Sequence, residues 1–419
     1  MNVAELVGRV LASLGAGPVF GVVGSGNFEV TNALRAAGVT FVATRHEGGA
    51  TTAADAYARM SGRVAMVSTH QGCGLTNAMT GIGEAAKSRT PLLVLTADTP
   101  GADLLANFRV DQDELVRSVG AVPERVYGAA SAVADTVRAY RTAVQQRRTV
   151  VLSLPLDVQS MTVTTEVSAV APVAPAAPVR PDSVAALAEL VAAAQRPVFI
   201  AGRGARAAGA PLRALADACG ALLATSAVAN GLFHGDPWSL GISGGFASPL
   251  AEELIKGADL IVGWGCALNN WTTRRGKLIS AGTKLVQVDT ESAALGAHRP
   301  IDLGVLGDTG LTATDVLAAL GSKRSGYRSD ALRDQIAVGV QWSTVDYDDL
   351  STDDHIDPRT LSKALDEMLP AERVVSIDSG NFMGYPSAYL SVPDEYGFCF
   401  TQAFQSIGLG LATAIGAAL

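Results

Sequence analysis

The chain has 419 residues, of which 48% are hydrophobic and 17% charged, with Gly 44 and Pro 18. That is a globular composition too long for one ordinary core, so two or three domains are expected. A net charge of −8, aromatics at only 5% and the lack of any basic stripe argue against nucleic acid and anionic membrane as partners.

The first stretch, "MNVAELVGRVLASLGAG", spaces Val3, Leu6, Val7, Val10, Leu11 and Leu14 as one helical face and lacks the basic start of a signal peptide. A strand follows at 18–23, then the loop Gly24-Ser25-Gly26-Asn27, a helix to about Ala37 and a strand at 39–44. "RHEGGATTAADAYARM" then breaks that apolar strand with Arg45, His46 and Glu47 before an Ala-rich helix. A strand at 64–69, the loop His70-Gln71-Gly72-Cys73-Gly74, a helix to about Lys87 and a strand at 91–97 complete the pattern. Short apolar runs alternating with helices imply an α/β fold with a parallel sheet covered on both faces. This first α/β domain is taken as 1–165.

Pro172, Pro175, Pro178 and Pro181 among small residues mark a Pro/Ala linker over 166–182. A second α/β region spans 183–320, a polar stretch at 321–357 reads as another linker, and a third unit begins at 358. That last unit has a helix at 359–369, a strand at 373–378 and an apolar helix from about Gln405, and it looks unfinished. No uncharged apolar run reaches the ~18–20 residues of a membrane span. Cys73, Cys219, Cys266 and Cys399 are widely separated with no metal-ligand spacing, so a reduced, cytoplasmic protein is expected.

Ligands of parallel α/β sheets bind at the carboxyl ends of the strands. Three loops there carry Ser25, Glu47, His70 and Gln71. Each also has a bland reading: Glu47 as a helix N-terminal carboxylate, His70 as a capping or core histidine. "AGRGARAAG" at 201–209 follows a strand and fits G-x-G-x-x-A, yet no acidic residue ends a strand about twenty positions on. The favoured reading is a tight strand–helix turn.

Taken in order, "RHE", the Gly-rich loop, "TNAMTGIGEAAKSRTPLLVLTAD", the Pro/Ala linker, "DSGN" and "SIGLGLATAIGAAL" resemble thiamine-diphosphate enzymes. The likeness is to the acetolactate synthase, benzoylformate decarboxylase and benzaldehyde lyase type, and it covers nearly the whole chain. It implies three parallel-sheet α/β domains: pyrimidine-binding, middle, and a C-terminally incomplete diphosphate-binding domain. It implies that Glu47 bonds N1′ of the cofactor's aminopyrimidine and so activates it, with His70 as a proton donor or acceptor. Ser25, Gln71 and Gln112 become candidate substrate contacts; Gly380, Asn381 and Ile407 join Glu47 as candidate cofactor contacts.

The activity so implied is decarboxylation of a 2-oxo acid, or transfer of the resulting acyl unit to a second carbonyl. Alternatives are a lyase cutting 2-hydroxyacyl-CoA or acyloin substrates, and a non-catalytic homologue. Leu156 stands where acetolactate synthases have lysine, and Ala267 and Trp271 stand at arginines associated with FAD, so FAD is doubtful. Asn270 replaces a second active-site histidine of benzoylformate decarboxylase. The resemblance also implies Mg²⁺, held by a Gly-Asp-Gly motif expected beyond Leu419. The chain is therefore expected to be a truncated product, inactive alone, of a protein that forms a homodimer or homotetramer.

Overall fold

The computed structural model describes residues 1–164 and 170–419, so the start of the 166–182 linker lies outside the described residues. By contact the chain falls into two compact units. The first comprises Met1–Ala176, Ser376–Gly380 and Thr401–Leu419; the second comprises Ala177–Val375 and Asn381–Phe400.

In the first unit the order is α1 (Val3–Ser13), β1 (Val19–Gly21), α2 (Phe28–Ala36), β2 (Phe41–Ala43), α3 (Glu47–Ser61), β3 (Ala65–Thr69), α4 (Cys73–Lys87) and β4 (Leu92–Asp98). It continues with α5 (Gln112–Ser118), β5 (Val122–Arg125), α6 (Ala132–Gln145), β6 (Thr149–Pro155) and α7 (Leu156–Gln159). The six strands pair in parallel in the order β2-β1-β3-β4-β6-β5. Val67 and Val94 lie on one face with the alanines of α3 and α4, while Met66 and Leu93 lie on the other with α1 and α6. Burial on both faces explains why β3, β4 and β6 read as continuous apolar runs rather than alternating ones. The order in which strands are added reverses between β1 and β3, which makes their carboxyl ends the switch-point crevice of the sheet.

The second unit runs α8 (Val184–Ala193), β7 (Pro197–Ala201), α9 (Gly209–Cys219), β8 (Leu222–Thr225), β9 (Ser239–Ile242), α10 (Pro249–Lys256), β10 (Leu260–Trp264), β11 (Lys284–Asp289), β12 (Leu303–Leu306) and α11 (Thr309–Ala319). Its parallel sheet has the order β12-β11-β10-β7-β8-β9. The stretch 321–357, expected to be a linker, carries α12 (Asp330–Gly339). Ile336 and Val340, four positions apart, bury that helix against the core of this unit. Polar residues on its other face had masked the short apolar stripe.

The region expected as a third domain is shared between the two units. After α13 (Pro358–Met368), β13 (Val375–Ser376), α14 (Gly384–Tyr389) and β14 (Phe398–Cys399), the helix α15 (Gly410–Ala417) packs on α3 within the first unit. Gly416 permits that contact: a Cβ there would stand 2.0 Å from the Ala53 carbonyl oxygen. Among the described residues no helix is long and apolar enough to cross a membrane.

Candidate active site

The strand-to-helix passage at 44–48 separates its three ionisable residues. Arg45 and His46 are exposed, and Glu47 is buried at 8% exposure. His46 caps α3, its Nδ1 accepting from the Gly48 N–H at 3.0 Å. Glu47 therefore opens the first turn, where the helix favours a negative charge, so its structural reading holds as well. Its carboxylate has a further arrangement. Asn77 Nδ2 on α4 donates to Oε2 at 3.1 Å, while Oε1 faces Gly74, whose absent Cβ would lie 3.3 Å away. One oxygen is thus held and the other is left beside a residue without a side chain.

The loops after β1 and β3 flank the switch point and carry Ser25 and His70. Ser25 Oγ and His70 Nε2 are 3.4 Å apart. His70 Nδ1 lies 3.0 Å from the Gln71 carbonyl, which can only accept, so Nδ1 carries the hydrogen. Nε2 is then the nitrogen turned to the loop crevice, able to accept a proton there and return it. The imidazole meets the Phe108 ring edge-on at 4.8 Å between centroids.

Asn27 fixes the first loop: its Oδ1 accepts from Gly24 N–H at 2.8 Å, and its Nδ2 donates to Val22 O and to Ser68 Oγ. Gln159 reaches in from α7 to donate to the Gly26 carbonyl at 3.0 Å. Neither residue stands out in the sequence: Asn27 acts on its own loop and on the distant Ser68 hydroxyl, and Gln159 acts on backbone far back in the chain. Asn77 could have been noticed from its place on the first turns of α4, facing the end of β2.

Gln71 is 4% exposed and packs against Gly26, where a Cβ would stand 2.0 Å from its Oε1. That oxygen has no hydrogen-bond partner among the described residues. Gln112 differs from its expected place on the substrate side. Its Oε1 accepts from Gly72 N–H at 2.9 Å, its Nε2 donates to Ala97 O at 3.0 Å, and it is 3% exposed. Both ends of the amide are spent on backbone, so it straps the histidine loop to the end of β4. Gly72 sits at φ +61, where a Cβ would stand 2.2 Å from the Phe108 carbonyl oxygen.

Gly380 and Ile407 sit on two segments joined by one carboxylate. Asp378 Oδ1 accepts from Ser379 N–H at 2.7 Å and from Gly408 N–H at 2.8 Å. Gly380 has φ +117, and Ile407 is 71% exposed. Asn381 belongs to the second unit. In that unit the glycines of "AGRGARAAG" serve close backbone approach: Gly202 N–H donates to Trp264 O and Gly204 N–H to Gly265 O, at 2.8 and 3.1 Å. A Cβ on Gly202 would stand 2.3 Å from the Gly265 oxygen, so the tight-turn reading of this motif holds. A cavity of about 530 Å³ in the same unit is lined by Phe233, Trp342 and Tyr389 and by none of the candidate residues.

Comparison with known proteins bears on the family and the fold. Residues 1–140 match the family described as thiamine pyrophosphate enzyme, N-terminal TPP binding domain, and residues 184–320 match the central domain of the same enzymes. The probable 2-ketoarginine decarboxylase of Pseudomonas aeruginosa is 30% identical over 445 residues, covering 100% of this chain and 75% of the relative. The sulfoacetaldehyde acetyltransferase of Roseovarius nubinhibens is 26% identical, covering 100% and 73%. A probable acetolactate synthase large subunit of Methanococcus aeolicus is 24% identical, covering 100% and 74%. An X-ray structure assigned to a thiamin diphosphate-dependent enzyme of Mycobacterium smegmatis shares the fold, with a TM-score of 0.80 at 20% identity over 100% of this chain and 80% of that one.

Proposed function

The chain belongs to the thiamine pyrophosphate enzymes, and on that premise we propose that it decarboxylates a 2-oxo acid or passes the resulting acyl unit to a second carbonyl. The observation that carries the site assignment is the Glu47 carboxylate, buried, fixed by Asn77 through one oxygen and opened by Gly74 at the other. That donor set fits an aminopyrimidine: a single carboxylic group meeting a single ring nitrogen. Bound there, thiamine diphosphate supplies the carbon nucleophile that attacks the substrate carbonyl.

The chain's own residues do the rest. Glu47 would hold the pyrimidine through a proton shared with its ring nitrogen, and Asn77 keeps the carboxylate from rotating out of reach. His70 Nε2 gives a proton to, or takes one from, the oxygen of the reacting carbonyl, its tautomer set by the Gln71 carbonyl. Ser25 hydrogen-bonds the substrate beside it. Gln71 is a second polar contact, and Gln112 acts by holding the 70–74 loop. Gly380, Asn381 and Ile407 are proposed for the diphosphate and ring side of the cofactor.

Mg²⁺ is proposed as the partner of the diphosphate. Among the described residues no group of three or more His, Cys, Asp or Glu side chains is placed to hold it. A cytoplasmic homodimer or homotetramer completes the proposal.

The test is Glu47→Gln in the complete protein with a panel of 2-oxo acids, thiamine diphosphate and Mg²⁺, following CO₂ release. The amide is isosteric and keeps an acceptor for Asn77, so the fold should persist while turnover drops about 10²–10⁴-fold. Turnover near wild type in a folded variant would remove Glu47 from this role.

A further inference from the structure

Glu84, on α4, is fully buried at 0% exposure, and the chemistry of the site above gives it no part. Its carboxylate collects an unusual number of donors. Oε1 accepts from Arg59 Nη2 at 2.9 Å, from Ser88 Oγ at 3.3 Å and from the Ala403 N–H at 3.0 Å. Oε2 accepts from the Phe404 N–H at 2.6 Å. Arg59 is itself held on α3 by Asp55, with Nε donating at 3.0 Å and a 2.7 Å ion pair beside it. Two helices of the first unit therefore present an ion-paired, oriented carboxylate to two consecutive backbone N–H groups more than 300 residues later in the chain.

The surroundings fit the same purpose. Gly83 leaves a seat for the Phe404 ring, which a Cβ there would meet at 3.0 Å. Lys87 Nζ lies 5.4 Å from the centre of that ring. Three residues further on comes exposed Ile407, in a turn with two left-handed residues, Gln405 at φ +60 and Gly408 at φ +101. Asp378 pins the far end of the turn through Gly408 N–H and Leu409 N–H. The turn is thus fastened on both sides of Ile407 by buried or half-buried carboxylates, and nothing in the packing of Ile407 itself holds it.

From this we infer that Glu84 is a positioning residue: through Ala403 and Phe404 it docks the 401–409 turn on the first unit and so sets where Ile407 stands. The inference rests on the proposal that Ile407 touches the cofactor. Glu84 touches neither cofactor nor substrate. Its effect is on cofactor affinity and on the mobility of the turn, and the chemical step at saturating cofactor is left alone.

The experiment compares wild type, Glu84→Gln and Phe404→Ala by hydrogen exchange and by titration with thiamine diphosphate plus Mg²⁺. Glutamine keeps one acceptor and turns an N–H₂ toward a backbone donor, so one of the two docking bonds is lost. Phe404→Ala empties the seat on Gly83 without disturbing the Arg59 pair, and so serves if the first variant folds poorly. The expected result is exchange accelerated at 401–409 and unchanged in β3 and β4, with the cofactor Kd raised about tenfold and kcat at saturation within about twofold. Exchange at 401–409 equal to wild type in both variants overturns the docking, and a released turn with wild-type Kd overturns the positioning role. Complete wild-type protein without saturable binding overturns the functional reading instead, a result the exchange data keep separate.

Discussion

Replacing Gly416 by alanine sets two effects of opposite sign against each other. In an isolated helix the change is favourable by up to about 1 kcal/mol, because glycine carries more backbone entropy into the unfolded state. In the structure the new Cβ would lie 2.0 Å from the Ala53 oxygen, 2.6 Å from its carbonyl carbon and 2.7 Å from its α-carbon. All three are backbone atoms of α3, so no side-chain rotation relieves the clash. Bringing the closest pair even to 3.0 Å means separating α15 from α3 by about 1 Å, a gap that forfeits a quarter to a half of each dispersion contact. Overpacking of this kind costs about 1–3 kcal/mol, enough to outweigh the propensity gain. The net expectation is a helix docked about 1–2 kcal/mol less firmly, hence exchanging about 5–30 times faster in its amides. Hydrogen exchange with mass spectrometry on peptides covering 410–419 reads this directly. Slower exchange in Gly416→Ala than in wild type would refute the reasoning, since only an undocked helix gains from alanine.

Two further outcomes follow from groups away from the site. Asp302 is held below the usual carboxylate range, first by the hydrogen bond from Lys284 Nζ and then by the Leu285 N–H. A lowered folded-state value stabilises above the unfolded value of 3.8 and is lost as the pH falls through the folded one. Asp302→Asn should therefore cost roughly 0.5–1 kcal/mol at neutral pH, modest because the pair is part-exposed, with urea melts converging on wild type under acid conditions. Burial pushes the thiols of Cys219 and Cys266 up to about 11, Cys399 is buried too, and Cys73 is exposed. Iodoacetamide at neutral pH should add one group to the native protein, at Cys73, and four to the unfolded one. Early labelling of Cys219 or Cys266 would contradict their placement.

The parts of this site legible in the sequence are those carried by local pattern. Strand-then-helix alternation predicts where β1, β2 and β3 end, and so brings Ser25, Glu47, His70 and Gln71 to one edge of a parallel sheet. The glycines of "AGRGARAAG" were readable as a turn because no acidic partner followed. What escaped is held by long-range hydrogen bonds. Gln112 looks like a polar residue opening a helix, and only the fold shows that Gly72 and Ala97 claim both ends of its amide. Asn27 acts on the Ser68 hydroxyl and Gln159 on the Gly26 carbonyl, pairings across the sheet end that no periodicity encodes. The 321–357 stretch reads as a linker because its buried stripe is only Ile336 and Val340 among charges. Nor does any spacing rule link Glu84 to Phe404.

That last pairing also has a timetable. Glu84 and Phe404 are 320 residues apart, so at typical synthesis rates of 5–20 residues per second the turn arrives about 16–64 s after the carboxylate it docks on. Through that interval Arg59 has Asp55 and Glu84 to satisfy but no backbone N–H groups to share, and the alanine face of α3 awaits the helix that will cover it. The early unit can form its sheet while the ribosome is still working. Its closure waits until residues 403 and 404 have been made, so until then the Glu84 carboxylate lacks both backbone partners in the nascent chain.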